Sequence, residues 1–214
     1  MVFFLLLTYK NSLMNFLAHL YLSQNNTDII IGNFIADHIK GNNYKGFSKE
    51  VQQGIFLHRE IDTFTDAHII VRKSKRRLHE RYRHYDGVII DIFYDYFLAK
   101  NWNTYSAIPL DIYTSSINKL FDKKSSELPL KSQQFIKYMI EYNILYNYQF
   151  EEGIEKVLNG MNSRTKGKSQ MNLAIEDLHI LKNEFENDFR VFFRELIEFT
   201  TKKIKEINQS NQSL

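Results

Sequence analysis

The segment Gly87–Ala99, GVIIDIFYDYFLA, constrains this chain more than any other. It is apolar on every side at helical period, so it belongs at the centre of a packed helical structure. Its only charges are Asp91 and Asp95, four residues apart and on one line with Val88, Leu98 and Trp102. Like charges on an apolar helix repel each other and lose hydration. Either an arginine must answer each carboxylate, or one cation must answer both.

A central helix needs others around it. Only 2 prolines and 8 glycines among 214 residues argue against turn-rich β folds, and no strand-like alternation persists. With 43% hydrophobic and 14% aromatic residues the chain can bury a bulky core. The expectation is an all-α protein with a single compact helical domain over residues 14–207. Residues 1–13 read as an extension outside the fold, because Val2–Leu7 is too short to span a bilayer and lacks a signal-peptide pattern. Residues 208–214 read as a frayed tail. No transmembrane segment is expected. The absence of cysteine excludes disulfides, thiolate metal sites and a cysteine nucleophile, and is compatible with a cytoplasmic location.

Helices are expected over Asn15–Ser23, Asp28–Lys40 with Thr27 as cap, a segment starting at Ser48, Ala67–Tyr85, Ala107–Lys123, Leu130–Tyr148, Phe150–Met161 and Asn172–Ile207. The third of these carries GIFLHREIDTFTD, Gly54–Asp66, in which His58, Asp62 and Asp66 recur at four-residue steps on one stripe. Leu57, Ile61 and Phe64 form an apolar stripe beside it. Half-buried carboxylates need a partner. A divalent metal is one, and imidazole with carboxylate suits manganese, iron or zinc.

Four clusters of acids and histidines compete for a role: His19, Asp37, the His58/Asp62/Asp66 stripe, and Asp91 with Asp95. Taken singly, a lone histidine is more often a satisfied core residue and a lone aspartate a solvated charge; the Asp91/Asp95 pair favours the metal reading. The chemistry of such a site would be hydrolytic, with Arg59 beside the stripe a candidate for phosphate charge. Lys40 reads as a surface cation. Phosphate-loop, nucleophile-elbow and dinucleotide motifs are missing. Ala67–Tyr85 is an amphipathic helix with Arg72, Lys73, Lys75, Arg76, Arg77, Arg81 and Arg83 against Glu80. It can be solvated, can bind nucleic acid, or can dock an acidic protein. A net charge of only +3 and the lack of interleaved aromatics disfavour nucleic acid.

Five ordered blocks resemble the acyl-carrier-protein phosphodiesterase family: MNFLAHLYLS from Met14, GNFIAD over Gly32–Asp37, GIFLHREIDTFTD, DIFYDYFLAKNW over Asp91–Trp102, and VLNGMNSR over Val157–Arg164. The resemblance implies an all-helical fold distantly similar to HD-type metal-dependent phosphohydrolases. It implies hydrolysis of the phosphodiester joining 4′-phosphopantetheine to a serine of holo-acyl carrier protein, with a divalent cation, most commonly manganese, otherwise magnesium or iron. It puts Asp37, His58, Asp62, Asp91 and Asp95 around the metal, with Asp37, His58 and Asp62 catalytic. His19 and Asp66 follow as orienting partners, and Arg59 and Arg164 as phosphate contacts. The acidic carrier protein gives Arg72, Lys73, Arg76 and Arg77 a docking partner. Two departures stand out. Tyr96 occupies a position where similar sequences have His, and Ile69 one where they have Pro. Two other readings stay open: a phosphohydrolase for a nucleotide or other small phosphodiester, and a non-enzymatic binder of an acidic protein whose acids are paired to arginine.

Overall fold

Asp86–Lys100 is the central helix, and its residues from Ile92 to Ala99 are all buried. It is α5 in a computed structural model that describes residues 16–212. Around it lie α1 (Phe16–Leu22), α2 (Thr27–Ile35), α3 (Lys49–Ala67), α4 (Ile69–Tyr82), α6 (Leu110–Lys124), α7 (Leu130–Glu141), α8 (Ile144–Asn147), α9 (Glu151–Arg164), α10 (Ala174–Ile180) and α11 (Lys182–Gln212). Among the described residues there is no strand, so the all-α expectation holds. No described helix is long and apolar enough to cross a membrane.

The closest helix contact is α2 on α3, and two glycines make it. A Cβ on Gly32 would sit 2.0 Å from the Val51 carbonyl oxygen, and one on Gly54 would sit 2.3 Å from that of Ile29. Only hydrogen fits between these backbones. α11 packs along α3, α4 and α5. Its Phe185, Phe189, Phe192 and Phe193 are buried, with Phe185 edge-on to Phe93 at 5.3 Å and Phe189 against Tyr94 at 5.6 Å.

Several boundaries differ from the sequence expectation, each for a local reason. The cap of α2 is Asn26, whose side-chain oxygen accepts from the Asp28 and Ile29 amides at 3.1 Å; asparagine outranks Thr27 in that role. α2 then ends at Ile35 and tightens into a 3₁₀ turn, Ala36–His38. Ser48 caps α3 as expected, accepting from the Val51 amide at 3.3 Å. The span 130–148 is not one helix: Asn143, with φ 46°, adopts the left-handed conformation that asparagine tolerates. α9 runs past Asn159-Gly160 to Arg164. The terminal helix is interrupted at Leu181 (φ −115°, ψ 26°), and α11 continues through residues 208–212 where a frayed tail was expected. The proposed extension, residues 1–13, lies outside the described residues.

Candidate active site

Three elements near the start of the fold converge on one cluster. α1 brings His19, the turn after α2 brings Asp37, and α3 brings His58 and Asp62. His58 Nε2 lies 3.2 Å from Asp62 Oδ2 and 3.3 Å from Asp37 Oδ1. His19 Nε2 lies 3.3 Å from Asp62 Oδ1, in ion-pair range but without a hydrogen bond, and is an unsatisfied buried nitrogen. The two imidazoles face each other with centroids 4.2 Å apart. One ligand atom each from His19, His58 and Asp62 falls within 4.8 Å of the others. Both histidines are buried, while the Asp62 side chain is 49% exposed, so the cluster has a closed floor and an open mouth.

Asn33 on α2 sets the proton positions. Its Oδ1 accepts from His19 Nδ1 at 2.7 Å and from His58 Nδ1 at 3.0 Å. Its Nδ2 donates to the His19 carbonyl at 3.1 Å and to Ser23 Oγ at 2.8 Å, which fixes the orientation of the amide. A carbonyl oxygen can only accept, so both Nδ1 atoms carry the proton and both Nε2 atoms point at the carboxylates. Burial pushes the His58 imidazolium toward losing its proton, but hydrogen bonds and charge from Asp37 and Asp62 overcome this and raise its pKa to about 10. Burial likewise opposes the Asp62 carboxylate, yet His19 and His58 hold its pKa below the usual range. Two imidazole nitrogens, one of them orphaned and buried, and the Asp62 carboxylate form a donor set that fits a divalent cation, with Asp37 beside His58.

The other residues singled out from sequence lie elsewhere. Asp95 does not join the cluster: its two oxygens accept the Leu17 and Ala18 amides at 3.0 and 2.9 Å, answering the open N-terminus of α1. Burial raises its pKa to about 7 while those amides pull the other way. Asp91, partly buried on the same helix, has its pKa raised first by burial; the nearby Lys75 lowers it, and Asp62, Asp95 and Asp66 push it further up. Asp66 pairs with Lys75 at 2.8 Å and is 74% exposed. The Arg59 guanidinium is stacked over Tyr44 and Phe56. Arg164 closes α9 beside Tyr138, Tyr148 and Met161. Tyr96 donates to Glu151 at 3.1 Å, away from the cluster. On α4, Lys73 and Arg77 hold the buried Asp188 at 3.2 and 2.6 Å, Arg77 from a largely buried position and Lys73 from the surface, while Arg72 and Arg76 are exposed. The Asp62 carboxylate faces both histidines, and that of Asp37 faces His58.

Sequence reasoning missed Asn33. It sits four residues before Asp37 in an otherwise apolar segment, Ile29–Ile35, and that isolated polar position was the available signal. It also ranked His19 below Asp95; the structure puts His19 beside His58 and Asp62, and Asp95 on the α1 amides. His38, whose Nδ1 is 2.7 Å from Ser132 Oγ, ties the turn bearing Asp37 to α7.

Residues 14–196 match the family model described as acyl carrier protein phosphodiesterase. The chain is 30% identical to an acyl carrier protein phosphodiesterase of Escherichia coli O6:H1 over 194 residues, covering 89% of this chain and 99% of the relative. It is 28% identical to that of Klebsiella pneumoniae strain 342 (89% and 99% covered), and 30% identical to that of Photorhabdus laumondii (86% and 94% covered). No solved structure matches. His19, Asn33, Asp37, His58 and Asp62 all fall inside the matched span, and the chain belongs to the acyl carrier protein phosphodiesterase family.

Proposed function

We propose that this protein is a metal-dependent hydrolase that cleaves the phosphodiester between 4′-phosphopantetheine and a serine of holo-acyl carrier protein, in the cytoplasm. The observation that carries the reading is the convergence of His19, His58, Asp37 and Asp62 under the shared Asn33 oxygen. His19, His58 and Asp62 would hold the ion, with Asp91, which feels the Asp62 charge, a further candidate. Two imidazoles disfavour magnesium, and imidazole together with carboxylate fits manganese or iron. When bound, the ion supplies Lewis-acid neutralisation of phosphoryl charge.

The chain's own groups account for the rest. The Nδ1–H bonds to Asn33 keep both imidazoles facing the cluster. Asp37, 23% exposed on a short turn, is the base reachable by an attacking water. Water oxygen bonds to phosphorus as the bond to serine Oγ breaks. The proton from water goes to the Asp37 carboxylate, and the departing serine oxygen takes one from solvent.

Incubation of the purified protein with manganese and holo-carrier protein should lower the carrier mass by one phosphopantetheine group, read by intact-protein mass spectrometry. No mass loss with manganese, iron or magnesium overturns the reading. Turnover of nucleotides or small phosphodiesters alone would move the substrate to that class.

A further inference from the structure

We infer that the acidic carrier protein docks on the face formed by residues 40–59, continuous with the mouth of the cluster, and not on α4. The inference rests on the substrate proposed above. From residue 38 to residue 59 the chain carries Lys40, Lys45, Lys49 and Arg59 against a single acid, Glu50. All four cations are exposed, and among the described residues no carboxylate lies in ion-pair range of any of them. Glu60, the next acid along α3, is taken by Lys203 at 2.9 Å.

The patch also has an apolar centre. Phe56 is 41% exposed, with the Tyr44 ring edge-on at 5.0 Å. The Arg59 guanidinium lies 5.6 Å from the Tyr44 centroid and 5.9 Å from that of Phe56. Stacking orders this cation without neutralising it. Lys49 and Phe56 are seven residues apart and so share one stripe of α3. The backbone itself links patch to site: it leaves Asp37, passes Lys40 and brings Tyr44 onto Phe56.

α4 looks more basic in sequence but has less charge to offer. Lys73 and Arg77 are committed to Asp188, Arg81 to Glu176 and Asp177, and Lys75 to Asp66. Arg72 donates from Nε to the Asp66 carbonyl at 3.2 Å. A cation already answered by a carboxylate contributes little to steering a partner. The fitting partner surface is a run of carboxylates flanking one apolar side chain, next to the serine that carries the phosphopantetheine.

The test compares the double variant Lys45→Glu/Lys49→Glu with Arg72→Glu/Arg76→Glu on two substrates, holo-carrier protein and a short phosphopantetheinyl-serine peptide. The first variant should raise KM for holo-carrier protein roughly tenfold with kcat and peptide turnover unchanged, and the second should leave both substrates within about twofold. An unchanged KM in the first variant, or the larger shift in the second, overturns the inference. If the wild type turns over neither substrate, the proposed activity has failed, and calorimetric titration of holo-carrier protein decides docking alone. Binding by the wild type that the Lys45/Lys49 variant loses supports the face; binding retained by that variant, or absent throughout, overturns it.

Discussion

Asn33 and Asp95 carry opposite lessons about single polar residues in apolar helices. Asn33 serves the site by accepting from two imidazoles at once. Asn33→Ala should weaken manganese binding about 10- to 100-fold, measured by titration calorimetry, because neither ring is then held in one tautomer. Asp95 serves the fold. Asp95→Ala should lower stability by about 2–4 kcal/mol in denaturant melts, leaving two buried amides without acceptors, whereas His58→Ala should abolish metal binding with the fold retained. Asp95 also gives stability a pH slope. Its folded pKa of about 7 stands above the ordinary carboxylate value of about 4, so the folded state holds this proton more tightly than the unfolded chain. Its contribution is full below about pH 4 and is lost as pH rises through about 7. Relative to Asp95→Asn, the wild type should therefore lose stability between about pH 4 and pH 7 and level off above that; a flat difference would contradict this.

At the scale of elements, the contact of α2 with α3 decides whether there is a site. Gly54→Ala places a methyl group 2.3 Å from the Ile29 carbonyl oxygen and 2.9 Å from the Asn33 amide nitrogen. The helices must separate, and Asn33 moves off His58. The expected result is a Tm fall of several degrees together with weakened metal binding, whereas substitutions of exposed α3 residues such as Thr63 should change neither. Much of this level was legible in the chain. The central helix follows from the apolar run at Gly87–Ala99, and α3 from Ser48 and the His58/Asp62 period. The breaks at Asn143 and Leu181 were not, because the hydrophobic period runs through both without a proline or glycine. The division of labour between Asp91, Asp95 and His19 was equally hidden. Spacing says which residues share a face; it does not say that the N-terminus of α1, distant in sequence, will point its amides at Asp95.

At the scale of the molecule, site and support come from different parts of the chain. His19, Asn33, Asp37, His58 and Asp62 belong to α1, α2, α3 and the turn between them, while α11, from the far end of the chain, packs on α3, α4 and α5. Buried Asp188 is the polar pin of that packing, held by Ser74 Oγ at 2.9 Å as well as by Arg77 and Lys73. Asp188→Ala should destabilise the fold by about 3–5 kcal/mol, since it strands a half-buried guanidinium, while the affinity for manganese at a temperature where the variant is folded stays unchanged. The glycine-to-glycine contact between α2 and α3 also bears on the order of assembly. Its two helices are consecutive and joined through residues 36–48, so this pairing is sequence-local, the kind of contact that forms early. The ligand-bearing corner can thus take shape on a growing chain before α11 has been synthesised, and the later helices lock a geometry already chosen.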